Sequence, residues 1–239
     1  MSGHSKWSTI KRKKGVTDKK KGQVFSKISK MLTVAALGGA DPTSNFKLRL
    51  IMDKAKATNM PSDSVERAIK KGSGQLEGIK MEEVIYEAYG PSGVALMIET
   101  VSDNQMRTLS ELKHILSMHG GHIGGAGSVK WMFKSCGVVR IPLASGLDRE
   151  KIELQAIDQG ADDIREEDST LAIYISLKKL NLFKEALEKQ GIKIESAAIE
   201  LSPTDPIKID PAKLAKVEEL MSVLDEHEDV SEIYSNVEN

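Results

Sequence analysis

A complete β-α-β-β-α-β run lies between residues 134 and 204, with unfinished sheet elements on either side of it. Short apolar stretches at 137–141, 161–165, 171–176 and 192–201 alternate with helical periods at 148–159 and 179–190. That order is the split βαβ of a ferredoxin-like domain, and it closes on itself without help from neighbouring chain. Before it, Val84-Ile85-Tyr86 and Val94-Ala95-Leu96-Met97-Ile98 flank Gly90-Pro91-Ser92-Gly93, two strands joined by a turn. Met106, Leu109, Leu112, Ile115 and Leu116 mark a helix ended by Gly120-Gly121, and a strand is expected around 129–133. After the run, a helix over 211–227 and a strand near Ile233-Tyr234 would complete the unit left open at 133. The expectation is an α+β domain of 76–133 plus 205–239, interrupted by an inserted ferredoxin-like α+β domain of 134–204.

Residues 1–75 follow a different period. Val24, Ile28, Met31, Leu32 and Ala35 fall on one helix face until Gly38-Gly39. Asp41-Pro42 supplies a start signal for a second helix carrying Leu48, Ile51, Met52 and Ala55. Asn59-Met60-Pro61 breaks it, and Ser62 or Asp63 is expected to cap a third, short helix that ends at Lys70-Lys71-Gly72. The whole is an α+β multidomain chain with a helical N-terminal domain, whose small core is expected to lean on the remainder.

Charge separates the same segments. The formal net charge of −1 conceals +12 over residues 1–75 and −13 over residues 76–239. Through residue 30 there are ten Lys and Arg against one acid, Asp18. So dense a run repels itself and is expected to order against a polyanion, because each phosphate neutralised releases condensed counterions. The candidate nucleic-acid contacts are Lys6, Trp7, Lys11, Arg12, Lys13, Lys14, Lys19, Lys20, Lys21, Lys27 and Lys30. Trp7 and Phe25 lie inside this basic stretch, and Trp7 could stack on an unpaired base or anchor the arm to the helices. The acidic domains are expected to face solvent or a protein partner. One cysteine, Cys136, excludes an internal disulfide and a Cys-cluster zinc site and fits a reducing compartment. No apolar run reaches the roughly 18 residues of a membrane span, and no secretory signal is evident. A cytoplasmic protein without a membrane partner is expected.

Several chemistries are weighed and set aside. The helices at 46–58 and 63–71 with a four-residue break resemble a helix-turn-helix, yet Asp63 and Glu66 occupy the end that would meet phosphate. Backbone or shape recognition suits the charges better. The glycine loop of 120–128 follows a helix and leads into a strand, the reverse of a phosphate loop, and lacks the Gly-Lys-Ser/Thr close. Its glycines fit positive φ or close backbone approach. A contact loop formed by His119, Gly120, Gly121, Gly127 and Ser128 is the functional alternative. His114, His119 and His122 have only Glu111 as a nearby acidic partner, too thin a set for zinc, so no metal and no cofactor are expected. No nucleophile elbow, Cys/His pair or dinucleotide fingerprint occurs, and no enzyme is expected.

The chain resembles the YebC family, which includes the mitochondrial translational activator of cytochrome c oxidase. The likeness rests on Gly3-His4-Ser5-Lys6-Trp7, Gly38-Gly39-Ala40-Asp41-Pro42, Asn59-Met60-Pro61 and Glu66-Arg67-Ala68-Ile69-Lys70. It continues through Tyr86-Glu87-Ala88-Tyr89-Gly90-Pro91-Ser92-Gly93, Asp103-Asn104 with Arg107-Thr108, and His119-Gly120-Gly121 with Gly127-Ser128-Val129. The resemblance implies three domains and a regulatory nucleic-acid-binding role: DNA-binding transcriptional regulation, or alternatively a ribosome- or rRNA-associated translation factor that relieves stalling, as on proline-rich sequences. The acidic domains would then meet the ribosome or the transcription machinery, and a protein-interaction scaffold is the third reading. The chain departs from the family where Ala35-Ala36 runs directly into Leu37-Gly38 without the common Arg, and at His122 and Gly125-Ala126 in the loop.

Overall fold

The computed structural model describes residues 18–78, 80–143, 148–167 and 169–238, with side chains from Lys21 onward. The chain forms two compact units, 1–134 with 202–239, and 135–201.

In the first unit, α1 (Asp18–Ala36), α2 (Phe46–Ala57) and α3 (Ser62–Gly72) pack around Ile28, Leu32, Leu48, Ile51, Ala55 and Ala68. Gly72 sits in the α1–α3 contact, where a Cβ would lie 2.0 Å from the Thr33 carbonyl oxygen, so no other residue fits without moving a helix. Both expected helix starts differ. Asp41 accepts from the Thr43 amide at 2.9 Å and closes a turn, while Asn45 caps α2 by accepting from the Leu48 amide at 3.0 Å. Pro61, not Ser62 or Asp63, is the N-cap of α3 and offers no side-chain bond. Its carbonyl already accepts from Ser64 and Val65, which leaves Asp63 in the first turn to complement the helix dipole.

Strands β1 (Glu82–Tyr89), β2 (Ala95–Ser102), β3 (His122–Ile123) and β8 (Val230–Ser235) form an antiparallel sheet in the order β3-β1-β2-β8. Helices α4 (Gln105–Met118) and α7 (Pro211–Glu226) close one face over Leu96, Ile98, Leu112, Leu116, Leu220 and Leu224. Helix α1 packs against β2 and β8, so β2 is covered on both sides and only Glu99 breaks its run of buried residues.

The expected strand over 129–133 is instead a 3₁₀ turn, Lys130–Met132, and the short strand β3 falls inside the glycine loop. In a strand, Val129 and Trp131 would share a face. The 3₁₀ turn rotates them apart, leaving Val129 at 0% exposure and Trp131 at 67%.

In the second unit, β4 (Phe133–Pro142), α5 (Arg149–Asp158), β5 (Ala161–Glu167), β6 (Thr170–Ile175), α6 (Leu177–Lys189) and β7 (Ser196–Pro203) build a sheet ordered β5-β6-β4-β7. Strands β4 and β5 each pair antiparallel with β6. A buried ionic cluster ties it together: the Arg140 Nε donates to Glu167 at 2.9 Å, its Nη2 to Glu200 at 3.0 Å, and the Tyr174 hydroxyl donates to Glu167. Burial works against the Arg140 charge, but Glu200 and Glu167 outweigh it and hold the guanidinium protonated.

Candidate nucleic-acid interface

The expected contacts divide by position. Lys6, Trp7, Lys11, Arg12, Lys13 and Lys14 lie outside the described residues. Lys19 and Lys20 fall in the first turn of α1, and Lys21 is exposed. Lys27 and Lys30, one turn apart, point into the protein instead. The Lys27 ammonium donates to the Asp225 carbonyl and lies 3.7 Å from its carboxylate. Lys30 pairs with Asp229 at 2.6 Å. Helical period carries these two expected phosphate contacts onto the face that meets α7 and β8, where both ammonium groups pair with acids.

Asp229, fully buried, is the anchor of that contact. It accepts from Lys30, from the Ser102 hydroxyl at 3.0 Å, from the Thr108 hydroxyl at 2.7 Å and from Arg107 at 3.0 Å. Burial alone would raise its pKa, but Lys30, Thr108 and Arg107 reverse the sign and hold the carboxyl well below the ordinary range. The residue thus ties α1, β2, α4 and the α7–β8 turn together. Nothing local in the sequence marks it.

A second charged layer lies between α2 and the sheet. Lys54 pairs with Glu232 of β8, and Lys47 with Glu83 of β1. Glu99 stands between them, opposite Glu232 in register. Burial first, then Glu232 and Glu83, push its carboxyl up to about 7, against the partial relief of Lys47 and Lys54. This residue did leave a signal: a lone carboxylate inside the apolar run 94–101.

Lys56 on α2 and Arg67, Lys70 and Lys71 on α3 are exposed. The last three follow the acidic first turn of α3, so the positive surface lies at the end of α3 remote from where a recognition helix reads bases.

The glycine loop binds an anion of its own. The Glu87 carboxylate accepts from the backbone amides of Gly127 at 2.6 Å, Val129 at 2.7 Å and Lys130 at 2.8 Å. Burial opposes the charge, yet these three bonds lower its pKa. Gly120 and Gly127 have φ of +73° and +80°, and a Cβ on Gly121 would lie 2.5 Å from the Tyr89 carbonyl oxygen. His119 donates from Nδ1 to the Ile115 carbonyl at 2.8 Å. The Ser128 carbonyl accepts from the Tyr89 hydroxyl and from the Trp131 indole, each at 3.1 Å. His122 stacks on Tyr89 with centroids 5.3 Å apart.

Among the described residues, the cluster with metal-ligand spacing is Glu111, His227 and Asp229, which leaves out His114, His119 and His122. Its donors are committed to one another. The Asp229 amide donates to His227 Nδ1 at 3.1 Å, so the ring proton sits on Nε2, which donates to Glu111 at 2.9 Å. With all of the Asp229 contacts also in place, the cluster does not fit a cation. No helix among the described residues is long and apolar enough to cross a membrane.

Two family profiles match the chain. One is described as the TACO1/YebC protein N-terminal domain, over residues 5–75, and the other as the TACO1/YebC second and third domain, over residues 81–237. A probable transcriptional regulatory protein of Halothermothrix orenii is 48% identical over 239 residues, covering 99% of this chain and 94% of that protein. One of Thermoanaerobacter pseudethanolicus is 45% identical, covering 100% and 97%. The crystal structure of a conserved hypothetical protein from Aquifex aeolicus aligns with a TM-score of 0.88 at 41% identity, covering 98% of this chain and 97% of that one.

Proposed function

The chain belongs to the TACO1/YebC family of regulatory proteins, and we propose that it regulates transcription by binding the nucleic-acid backbone, DNA in the first instance, through its N-terminal segment. The observation that carries this reading is how charge is distributed on the helical layer. Lysines on its inner face, Lys27, Lys30, Lys47 and Lys54, meet acids of the sheet and of the α7–β8 turn. The exposed Lys56, Arg67, Lys70 and Lys71 offer cations at which phosphate would be neutralised, and the sequence of residues 1–21 adds a further Lys-rich run. The unit 135–201, with strand order β5-β6-β4-β7, is read as a ferredoxin-like split βαβ. The relatives are regulators by name.

Fluorescence anisotropy with a labelled DNA duplex over a salt series tests the reading. Replacing Lys11, Arg12, Lys13 and Lys14 by Ala should weaken binding and make the salt slope shallower by roughly 0.9 for each phosphate no longer neutralised. Unchanged affinity and slope would refute it. Salt-sensitive co-sedimentation with ribosomes, without binding to duplex DNA, would replace it with the translational alternative.

A further inference from the structure

We propose that the loop from His122 to Trp131 is a second nucleic-acid contact, at which the Trp131 indole stacks on an unpaired base. The proposal rests on the nucleic-acid reading above and adds a place and a chemistry to it.

Trp131 is 67% exposed in a chain with only ten aromatic residues. The indole is nonetheless held. Its N–H donates to the Ser128 carbonyl, the same oxygen that accepts from Tyr89, and Tyr89 is itself stacked on His122. Below it, Glu87 fastens the backbone on either side of Ser128 through Gly127, Val129 and Lys130. An aromatic ring with its one polar atom already bonded inward gains nothing from water on its faces and loses little entropy on stacking.

The surroundings choose the occupant. A protein interface centred on a tryptophan needs an apolar patch around it, whereas the other exposed residues of this loop are His122, Gly125, Ala126, Gly127 and the cationic Lys130. A flat, exposed ring next in the chain to an exposed cation fits one base and its phosphate. The three amides that could have cradled that phosphate hold Glu87 instead, so the loop's contribution is stacking, not anion capture. Stacking on an exposed ring requires a base that is not paired, hence a single strand, a bulge or a loop.

The test uses the full chain with a 20-nucleotide single strand of mixed sequence, as RNA and as DNA, and the matching duplex. In a Trp7→Phe background Trp131 is the remaining tryptophan, and its emission should be quenched as the single strand saturates. Trp131→Ala should weaken single-strand binding roughly 5- to 150-fold, the range for one stacked base, with an unchanged salt slope. Trp131→Phe should retain most of the affinity. Single-strand binding with unquenched emission and full affinity in Trp131→Ala would overturn the stacking contact and leave the basic segment's role intact. Absence of any nucleic-acid binding by the wild-type chain at low salt would overturn both. The emission readout leaves position 131 unmutated, so it decides the matter even if Trp131→Ala misfolds.

Discussion

Replacing Glu99 by Gln should stabilise the protein at alkaline pH and do little at acid pH. The carboxyl lies between sheet and α2, with Glu232 opposite it, Glu83 nearby, and Lys47 and Lys54 as the facing cations. Its pKa rises from 4.5 to about 7, chiefly through burial. The folded state therefore holds this proton more tightly than the unfolded state. The associated stability is complete below pH 4.5 and disappears as pH rises through about 7. At about 1.4 kcal/mol per pH unit the full shift corresponds to roughly 3 kcal/mol, and residual solvent access lowers the expectation to about 1–2 kcal/mol. Urea unfolding followed by the emission of Trp131 reads the correct unit, because Trp131 and Glu99 both belong to it. Wild type should lose stability progressively between about pH 4.5 and 7.5, while Glu99→Gln stays level and overtakes it. If Glu99→Gln is destabilised equally at pH 5 and pH 8.5, the ionised carboxylate is a required partner of Lys47 and Lys54, and burial does not govern its protonation.

Other changes test the remaining contacts. Asp229→Asn removes the charge facing Lys30 and Arg107 and should cost about 2–4 kcal/mol at neutral pH, measured by urea unfolding. Because the Asp229 pKa is depressed below 3.8, its contribution is present above that value and lost as pH falls further, so the variant should show a flatter acid limb. Gly72→Ala drives a methyl into the Thr33 carbonyl and should lower stability by about 2 kcal/mol or more, seen as a lower Tm. Lys27→Ala should reduce stability yet leave the salt slope of nucleic-acid binding unchanged, whereas Arg67→Glu with Lys71→Glu should leave stability nearly constant and weaken binding.

The opposed charges of the two parts of the chain have two uses. Part of the excess is internal, since the acids at Glu83, Asp225, Asp229 and Glu232 meet lysines of α1 and α2. Such pairs fix how the helices sit on the sheet more than they add stability, because desolvation offsets much of the attraction.

Much of the architecture was legible in the residues. Helix and strand periods located all seven helices and seven of the eight strands among the described residues, since those periods are set by side-chain direction within one element. Local chemistry that depends on competing neighbours was less legible. Asp210-Pro211 starts α7, but the same dipeptide at Asp41-Pro42 does not start α2. After Asp41 come Thr43 and Ser44, whose side chains bond back to Asp41 and close a turn, while Asp210 is followed by Ala212 and Leu214, which do not compete. Only the tertiary structure decided which cations face inward, that Glu87 fills the amides of the glycine loop, and that Trp131 stands in solvent. Each of those depends on which face of one element meets which face of another. A count of charges or glycines along the chain carries no record of that meeting, and Coulomb and hydrogen-bond energies act only once it has occurred.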